Sequence, residues 1–194
     1  MNYDILLCGV GGQGIISLAA IITNCAASAK LNVKQVEVHG MAQRGGTVKS
    51  HIRMSDEPIA SNQIPAGTAD MLLSTEPLEA LRYVHYLAMQ TGICLSALSP
   101  VDDIPGYPPF EALRGELQKL PRLRLIDAQG CAEAAGSRHM INIVMLGAAS
   151  VYLPIGVDTL KLCIAEKFGG RGEKFVRMNY AAFDSGRAAC LRNE

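Results

Sequence analysis

Short blocks of apolar residues alternate along the chain with longer segments whose apolar residues recur at helical spacing. Five blocks predict strands, and they cover residues 3–8, 33–38, 70–74, 93–98 and 123–128. Residues 47–54 alternate apolar and polar side chains, which is typical of a half-exposed strand. Helices are predicted for residues 14–29, 78–88, 110–120, 129–136, 142–152, 157–168 and 179–191.

The order of these segments predicts an α/β fold. The strand at 3–8, the helix at 14–29 and the strand at 33–38 form a β-α-β unit, so its two strands are expected to pair in parallel. No helix precedes the strand at 47–54, so this strand is expected to run antiparallel to the one at 33–38. We therefore expect one domain over residues 1–194: a three-layer α/β/α sandwich with a mixed, mostly parallel sheet and a Rossmann-like start.

The strand at 47–54 has a polar face that carries Lys49, His51 and Arg53. The alternation predicts that this face lies in solvent or beneath a partner chain.

Asparagines stand at the beginning of two of the predicted helices. Asn142 and Asn179 are expected to be helix caps, because an asparagine side chain accepts a hydrogen bond from the first turn. Gly186 is expected to interrupt the last helix, whereas the small residues 147–149 allow a helix to pack closely against a neighbour.

A first glycine-rich loop joins the first strand to the first helix. Gly9, Gly11 and Gly14 match the Gly-x-Gly-x-x-Gly spacing of dinucleotide sites, with Gly12 and Gln13 between them. The following helix directs free N–H groups at this loop, so an anion could bind there. Gln13 has no charge, so backbone N–H groups would have to hold a phosphate. A tight turn without a ligand explains the same glycines equally well.

A second glycine-rich loop follows the second strand, and its polar side chains make it the stronger functional candidate. Arg44 offers a fork of donors that suits a carboxylate or phosphate, Gln43 can donate and accept hydrogen bonds, and His39 can titrate. We expect this loop to wall an active site or a subunit interface. Its candidate residues are His39, Gly40, Met41, Gln43, Arg44, Gly45 and Gly46.

Composition excludes several classes of function. The chain has 18 Lys+Arg and 18 Asp+Glu, no tryptophan and 5% aromatic residues, which argues against nucleic-acid binding. The start lacks a basic leader and residues 14–29 are too polar to span a membrane, so we expect a cytoplasmic protein. The six cysteines are at least 17 residues apart, 8 and 25 being the nearest pair, so no metal or iron–sulfur spacing is present.

Together these stretches resemble the gamma-type subunit, or domain, of 2-oxoacid:ferredoxin oxidoreductases. The resemblance rests on GVGGQG at 9–14, HGMAQRGG at 39–46, SHIR at 50–53, ADMLLSTEPLEAL at 69–81, NIVMLGA at 142–148 and NYAAFDSG at 179–186. The stretch before Arg44 looks like the beta, or small, subunit of the indolepyruvate branch. Pyruvate and 2-oxoglutarate members tend to carry a Ser-Tyr-Gly-type stretch there.

The resemblance implies a division of labour between subunits. Thiamine diphosphate and 4Fe–4S clusters would belong to a large partner subunit, ferredoxin would accept the electrons, and coenzyme A would be the co-substrate. The complex would convert aryl pyruvates to acyl-coenzyme A by oxidative decarboxylation. This chain would then bind no cofactor, metal or nucleic acid by itself and be inactive alone, and its two glycine-rich loops would shape the active site, the coenzyme A site or the interface.

Two other functions remain open at the level of sequence. A free-standing NAD(P) oxidoreductase is supported by the first glycine-rich loop and by Glu37, which lies 23 residues beyond Gly14, where dinucleotide folds place the acid that binds ribose. No hydride-transfer acid or substrate domain accompanies them. A pure scaffold subunit is the other alternative. Tight NADH binding by the isolated chain would favour the first, and selective kinetic defects from changes at Gln43 or Arg44 would exclude the second.

Overall fold

A computed structural model describes residues 1–39, 45–98, 100 and 106–192 of the chain. Within these ranges the strands are β1 (Asn2–Val10), β2 (Asn32–His39), β3 (Thr47–Ser55), β4 (Met71–Ser74), β5 (Ile93–Ala97) and β6 (Leu123–Ile126). The helices are α1 (Ile15–Ser28), α2 (Pro77–Tyr83), α3 (Phe110–Leu117), α4 (Ala128–Ala134), α5 (Ile141–Ala149), α6 (Val157–Phe168) and α7 (Glu173–Arg192). Three single 3₁₀ turns lie at Val84–Tyr86, Arg138–Met140 and Gly169–Arg171.

The strands form one mixed sheet in the order β2-β3-β1-β4-β5-β6. β3 is antiparallel to both of its neighbours, whereas β1, β4, β5 and β6 pair in parallel. The expected mixed, mostly parallel sheet and the antiparallel pairing of β2 with β3 are confirmed. The expected pairing of β1 with β2 is wrong, because β3 folds back beside β2 and takes the place next to β1 along nine residue pairs.

Helices cover both faces of the sheet, which confirms the three-layer architecture. β1 divides its side chains between the two layers: Ile5 and Leu7 enter the larger core with α1 and α4–α7, and Leu6 and Cys8 enter the smaller core near α2 and α3. Because β1 is buried on both faces, its sequence is a continuous apolar run rather than an alternating one. None of the helices in the described ranges is long and apolar enough to cross a membrane.

The polar face of β3 is partly covered by the chain's own residues: His51 is buried, which corrects the expectation of a solvated face, and Lys49 and Arg53 are half-buried. His51 is 3% exposed and its Nδ1 accepts a hydrogen bond from the N–H of Ile64 at 3.1 Å. Arg53 pairs with Asp4 at 2.9 Å, and the Lys49 ammonium lies 5.1 Å from the centre of the Tyr86 ring. Burial lowers the pKa of His51, and the nearby charge of Lys49 lowers it further.

Several helix boundaries differ from those expected, and the starts of α7 and α2 bear on the site. α7 begins at Glu173 rather than at residue 179 and continues through Gly186 without a break. The cap of α2 is Glu76, whose side chain accepts a hydrogen bond from the N–H of Glu79 at 2.8 Å. Thr75, which precedes this cap, contacts the first glycine-rich loop.

Candidate functional site

The loops predicted to carry function lie at one edge of the sheet, where β1, β4 and β5 end and β3 begins. The chain leaves β1 for α1 on one face and leaves the adjacent β4 for α2 on the other face. Adjacent parallel strands whose connections diverge in this way open a crevice, which is where α/β sheets commonly bind ligands. The first glycine-rich loop and the turn at Thr75 face each other across it.

Gln13 closes this crevice with its own side chain. Its Oε1 accepts hydrogen bonds from the Val10 N–H at 2.8 Å and from the Thr75 hydroxyl at 2.7 Å. Its Nε2 donates to the Thr75 carbonyl at 3.3 Å. Gly9 is required beside it, because a Cβ there would lie 2.2 Å from the Thr75 Oγ1. Gly9 and Gln13 therefore hold the turn together, and the Gln13 amide is committed to the protein.

Gly14 sets the start of α1. It adopts a φ of 78°, which favours glycine, and no side chain caps the helix at this end. The first turn of α1 therefore keeps N–H groups that an anion could use. A Cβ on Gly14 would lie 2.6 Å from the Asn142 Nδ2, so α5 packs directly against this end of the helix.

The two glycine-rich loops meet at a backbone hydrogen bond from the Gly11 N–H to the Gly46 carbonyl, 2.8 Å long. Gly12 is exposed beside this contact, and Gly45 precedes it. The next residue, Thr47, donates its hydroxyl to Glu79 and lies 3.0 Å from the Tyr83 hydroxyl. Gly40, Met41, Gln43 and Arg44, together with the side chain of His39, lie outside the described residues.

Two buried carboxylates at the start of α2 belong to this edge and were not anticipated from the sequence. Glu79 is 5% exposed and pairs with Arg82 at 3.1 Å as well as with Thr47. Glu76 accepts a hydrogen bond from the Tyr107 hydroxyl. Burial raises the pKa of Glu76, although its hydrogen bonds from Tyr107 and from the Glu79 N–H oppose that rise.

Two adjacent pockets open beside the start of α1, and Gly14 and His139 line both. The first pocket, of about 340 Å³, is lined by Gln13, Gln129 and Arg138 among others. The second, of about 400 Å³, lies among α1, α5 and α7. Arg138 and His139 are exposed, and they stand beside a helix start that favours anions. Sequence reasoning missed both, although the Ser-Arg-His stretch immediately precedes α5.

Asn142 and Asn179 line the second pocket and are not helix caps, which corrects the expectation from the sequence. Both helices begin earlier than the asparagines, at Ile141 and Glu173, so each asparagine lies inside a helix. Asn142 donates to the Gly14 carbonyl at 3.4 Å, and Asn179 donates to the Phe175 carbonyl at 2.8 Å. Both side chains are buried.

The sheet order argues against a dinucleotide site at the first glycine-rich loop. In a dinucleotide fold the ribose-binding acid stands at the end of the strand next to the glycine loop. Glu37 is on β2, and β3 separates β2 from β1, which places Glu37 about 10 Å to the side at the usual strand spacing. Its carboxylate accepts a hydrogen bond from Gln35 at 2.7 Å.

No cluster of three metal-ligating side chains was found among His, Cys, Asp and Glu in the part of the chain that the structure describes. Cys8 on β1 and Cys94 on β5 are buried, and burial raises the pKa of the Cys94 thiol to about 12. Burial also raises the pKa of Cys8. Such thiols stay protonated at neutral pH and are poor metal ligands and nucleophiles.

Comparison with known families gives a match over nearly the whole chain. The family model for pyruvate ferredoxin/flavodoxin oxidoreductase matches residues 4–189. The indolepyruvate oxidoreductase subunit IorB of Archaeoglobus fulgidus is 36% identical and is aligned over 98% of this chain and 100% of its own length. The 2-oxoglutarate synthase subunit KorC of Methanocaldococcus jannaschii is 46% identical over 155 residues, which cover 76% of this chain and 73% of KorC.

Two solved structures share the fold. The gamma subunit of a keto/oxoacid ferredoxin oxidoreductase from Geobacter sulfurreducens aligns with a TM-score of 0.73 at 24% identity, over 98% of this chain and 99% of that one. The 2-oxoglutarate:ferredoxin oxidoreductase from Magnetococcus marinus, with 2-oxoglutarate, coenzyme A and succinyl-CoA bound, aligns with a TM-score of 0.78 at 24% identity. That alignment covers 98% of this chain, which spans 31% of the Magnetococcus chain.

Proposed function

The chain belongs to the pyruvate ferredoxin/flavodoxin oxidoreductase family, and from this premise we propose that it is the small subunit of a complex that oxidises indolepyruvate or a related aryl 2-oxo acid. The observation that carries this proposal is the end-to-end similarity to IorB, at 36% identity with no part of that subunit left unmatched. The free-standing NAD(P) enzyme is not favoured, because β3 separates Glu37 from the first glycine-rich loop.

A second candidate substrate is 2-oxoglutarate. The similarity to KorC favours it, since identity there reaches 46%, although over a shorter stretch. The two candidates differ in the chemistry that the complex must accept: a flat aromatic side chain in one case and a second carboxylate in the other. Both candidates imply the same reaction class, the same type of subunit and a larger partner subunit.

In the proposed complex, thiamine diphosphate and iron–sulfur clusters on the partner supply decarboxylation and electron transfer. This chain contributes the loops at the edge of the sheet where β1, β4 and β5 end, and we place these loops against the partner. Gln13 and Thr75 keep the first loop rigid, and the Gly11–Gly46 hydrogen bond ties it to the second loop. The residues assigned to this contact are Gly9, Gly11, Gly12, Gln13, Gly14, His39, Gly40, Met41, Gln43, Arg44, Gly45 and Gly46.

We propose that the first pocket holds the anionic part of coenzyme A. A diphosphate needs several donors and positive potential, and the pocket offers the uncapped start of α1 and the Arg138 guanidinium. The Gln13 side chain supplies no donor to the phosphate, because its amide is hydrogen-bonded to Val10 and Thr75. The fold recurs in the Magnetococcus enzyme, which has coenzyme A bound.

The test is anaerobic purification of the complex through a tag on this chain, followed by assay of ferredoxin reduction with indolepyruvate, pyruvate and 2-oxoglutarate. Co-purification of a larger subunit with thiamine diphosphate and iron–sulfur clusters, and preference for indolepyruvate, are expected. Preference for 2-oxoglutarate would support the second candidate. A chain that purifies alone with bound nucleotide would overturn the subunit proposal.

A variant of the second loop tests its role separately. Arg44→Ala is expected to preserve assembly and to change turnover or the KM for coenzyme A, because a guanidinium that meets a carboxylate or phosphate acts on the bound state. If assembly, turnover and this KM all stay unchanged, the second loop has no part in the site. Loss of assembly alone would point to a scaffold role.

A further inference from the structure

The second pocket, which we call the α1–α7 pocket, has mainly apolar walls. Phe168 and Phe175 pack edge to face with ring centres 5.6 Å apart, and Met140 and Ile143 line the pocket beside them. Its volume of about 400 Å³ lies in the range, roughly 300–1,000 Å³, of pockets that enclose small organic molecules. The walls therefore suit a flat apolar group.

The Asn179 side chain lines this pocket with an amide whose oxygen can accept a further hydrogen bond. Asn179 is 1% exposed and its Nδ2 donates to the Phe175 carbonyl at 2.8 Å. Among the described residues, no hydrogen-bond donor reaches its Oδ1. An amide oxygen has two lone pairs, so the Asn179 Oδ1 can accept a hydrogen bond from a donor on a ligand.

Arg171, at the rim of the α1–α7 pocket, has no carboxylate partner among the described residues. Arg171 is exposed, its guanidinium lies 5.2 Å from the centre of the Phe175 ring, and no carboxylate of the described residues lies within ion-pair distance of it. Stacking on an aromatic ring leaves the edge of a guanidinium free to meet an anion in a bidentate manner. The rim of the pocket therefore favours a carboxylate.

We propose that the α1–α7 pocket binds an aromatic carboxylic acid whose ring carries an N–H or O–H donor. The ring packs on Phe168 and Phe175, its donor reaches the Asn179 Oδ1, and the carboxylate meets Arg171. Indole acids combine these three features. This binding proposal rests on the pocket and not on the proposed function, which serves only to choose an indole acid as the probe. If the binding proposal and the proposed function are both correct, this chain binds an aryl acid without converting it.

The probe is indole-3-acetate, which has no 2-oxo group and is therefore not a substrate for oxidative decarboxylation. Binding to the full chain and to the purified complex is measured by calorimetry, with 1-methylindole-3-acetate as the matched ligand that lacks the donor. Saturable binding is expected, weakened about tenfold or more by methylation and by Arg171→Ala. Arg177→Ala is the control, because Arg177 pairs with Glu173 at 2.9 Å and does not line the pocket.

Absence of saturable binding at millimolar concentration, equal affinity for the methylated ligand, or equal losses in Arg171→Ala and Arg177→Ala would each overturn the proposal. Arg171 is exposed, so its replacement leaves the fold intact and the comparison stays informative. A complex that fails to oxidise indolepyruvate would refute the proposed substrate while leaving this binding measurement unaffected.

Discussion

Gly147 of α5 and Gly186 of α7 lie where the two helices cross, each against the backbone of the other helix. A Cβ on Gly186 would lie 1.9 Å from the Val144 carbonyl oxygen, and a Cβ on Gly147 would lie 1.9 Å from the Phe183 carbonyl oxygen. Glycine is a poor helix former, so its presence inside two helices is explained by this approach of backbone to backbone. The contact fixes the position of α7, the helix from which Asn179 lines the α1–α7 pocket.

Gly186→Ala is therefore expected to lower the free energy of unfolding by about 3 kcal/mol, because the added methyl group must push α7 away from α5. Urea denaturation of the full chain measures this. Gly115→Ala on the exposed side of α3 is the control: no atom lies within 4 Å of the place that a Cβ would take there, so a gain of roughly 0.5–1 kcal/mol is expected. Equal effects at the two glycines would contradict the close approach.

The Gln13 amide is expected to be a stability determinant rather than a ligand contact. Gln13→Ala removes the acceptor of the Val10 N–H and of the Thr75 hydroxyl at once, which is expected to cost about 2 kcal/mol. Gln129→Ala, which removes only an exposed hydrogen bond to Glu133, is expected to cost less than about 0.5 kcal/mol. Thermal unfolding of both variants measures these costs. If Gln13→Ala leaves the stability unchanged, the Gln13 amide is not a stability determinant and the crevice is open to a ligand.

The central strands were predictable because they are short apolar runs bounded by turn residues, and β3 was predictable from its alternation of apolar and polar residues. The antiparallel direction of β3 followed from the short connection that precedes it. The place of β3 between β1 and β2 was not predictable, since both edges of a buried strand can pair and the sequence does not say with which partner. Asn142, Asn179 and Gly186 were misassigned for a related reason. Their roles depend on contacts between helices that meet only in the folded chain. In the sequence alone, an asparagine before an apolar run indicates a helix cap and a glycine within a helix indicates a break.

The candidate site also contains residues that the sequence predicts and residues that only the structure reveals. The glycines of the first loop carry a local signal, and the contact of Gly11 with Gly46 brings both predicted loops together. Arg138 and Arg171 belong to no motif and are recognised only through the pockets that they line. Glu76 and Glu79 lie in the stretch 69–81 that carries the family resemblance, but their burial is visible only in the structure.

His51 is expected to make stability depend on pH. Its folded pKa is lowered by burial, so the unfolded chain binds the proton more readily. The stability that its neutral form contributes is fully present above the unfolded pKa, about 6.5, and is lost as the pH falls through the folded pKa. Unfolding free energies measured between neutral and mildly acidic pH should fall less steeply in His51→Asn than in the wild type.

The exposed His85 provides the control for this experiment. His85→Asn is expected to keep the wild-type dependence, because its ring is exposed and contacts only Tyr83, Tyr86 and the Arg82 carbonyl among the described residues. Parallel curves for His51→Asn and the wild type would show that the Ile64 N–H does not hold the His51 ring in its neutral form.

Arg138 is expected to contribute to coenzyme A binding in the complex. Arg138→Ala removes a guanidinium from the first pocket, beside the uncapped start of α1, and is expected to raise the KM for coenzyme A about tenfold while the KM for the 2-oxo acid stays unchanged. Arg138→Lys should recover part of the loss, because the charge remains without the fork. Arg177→Ala, whose side chain lies in neither pocket, serves as the control. If Arg138→Ala changes both KM values equally, or neither, the first pocket does not receive the anionic part of coenzyme A, and this edge serves the subunit interface alone.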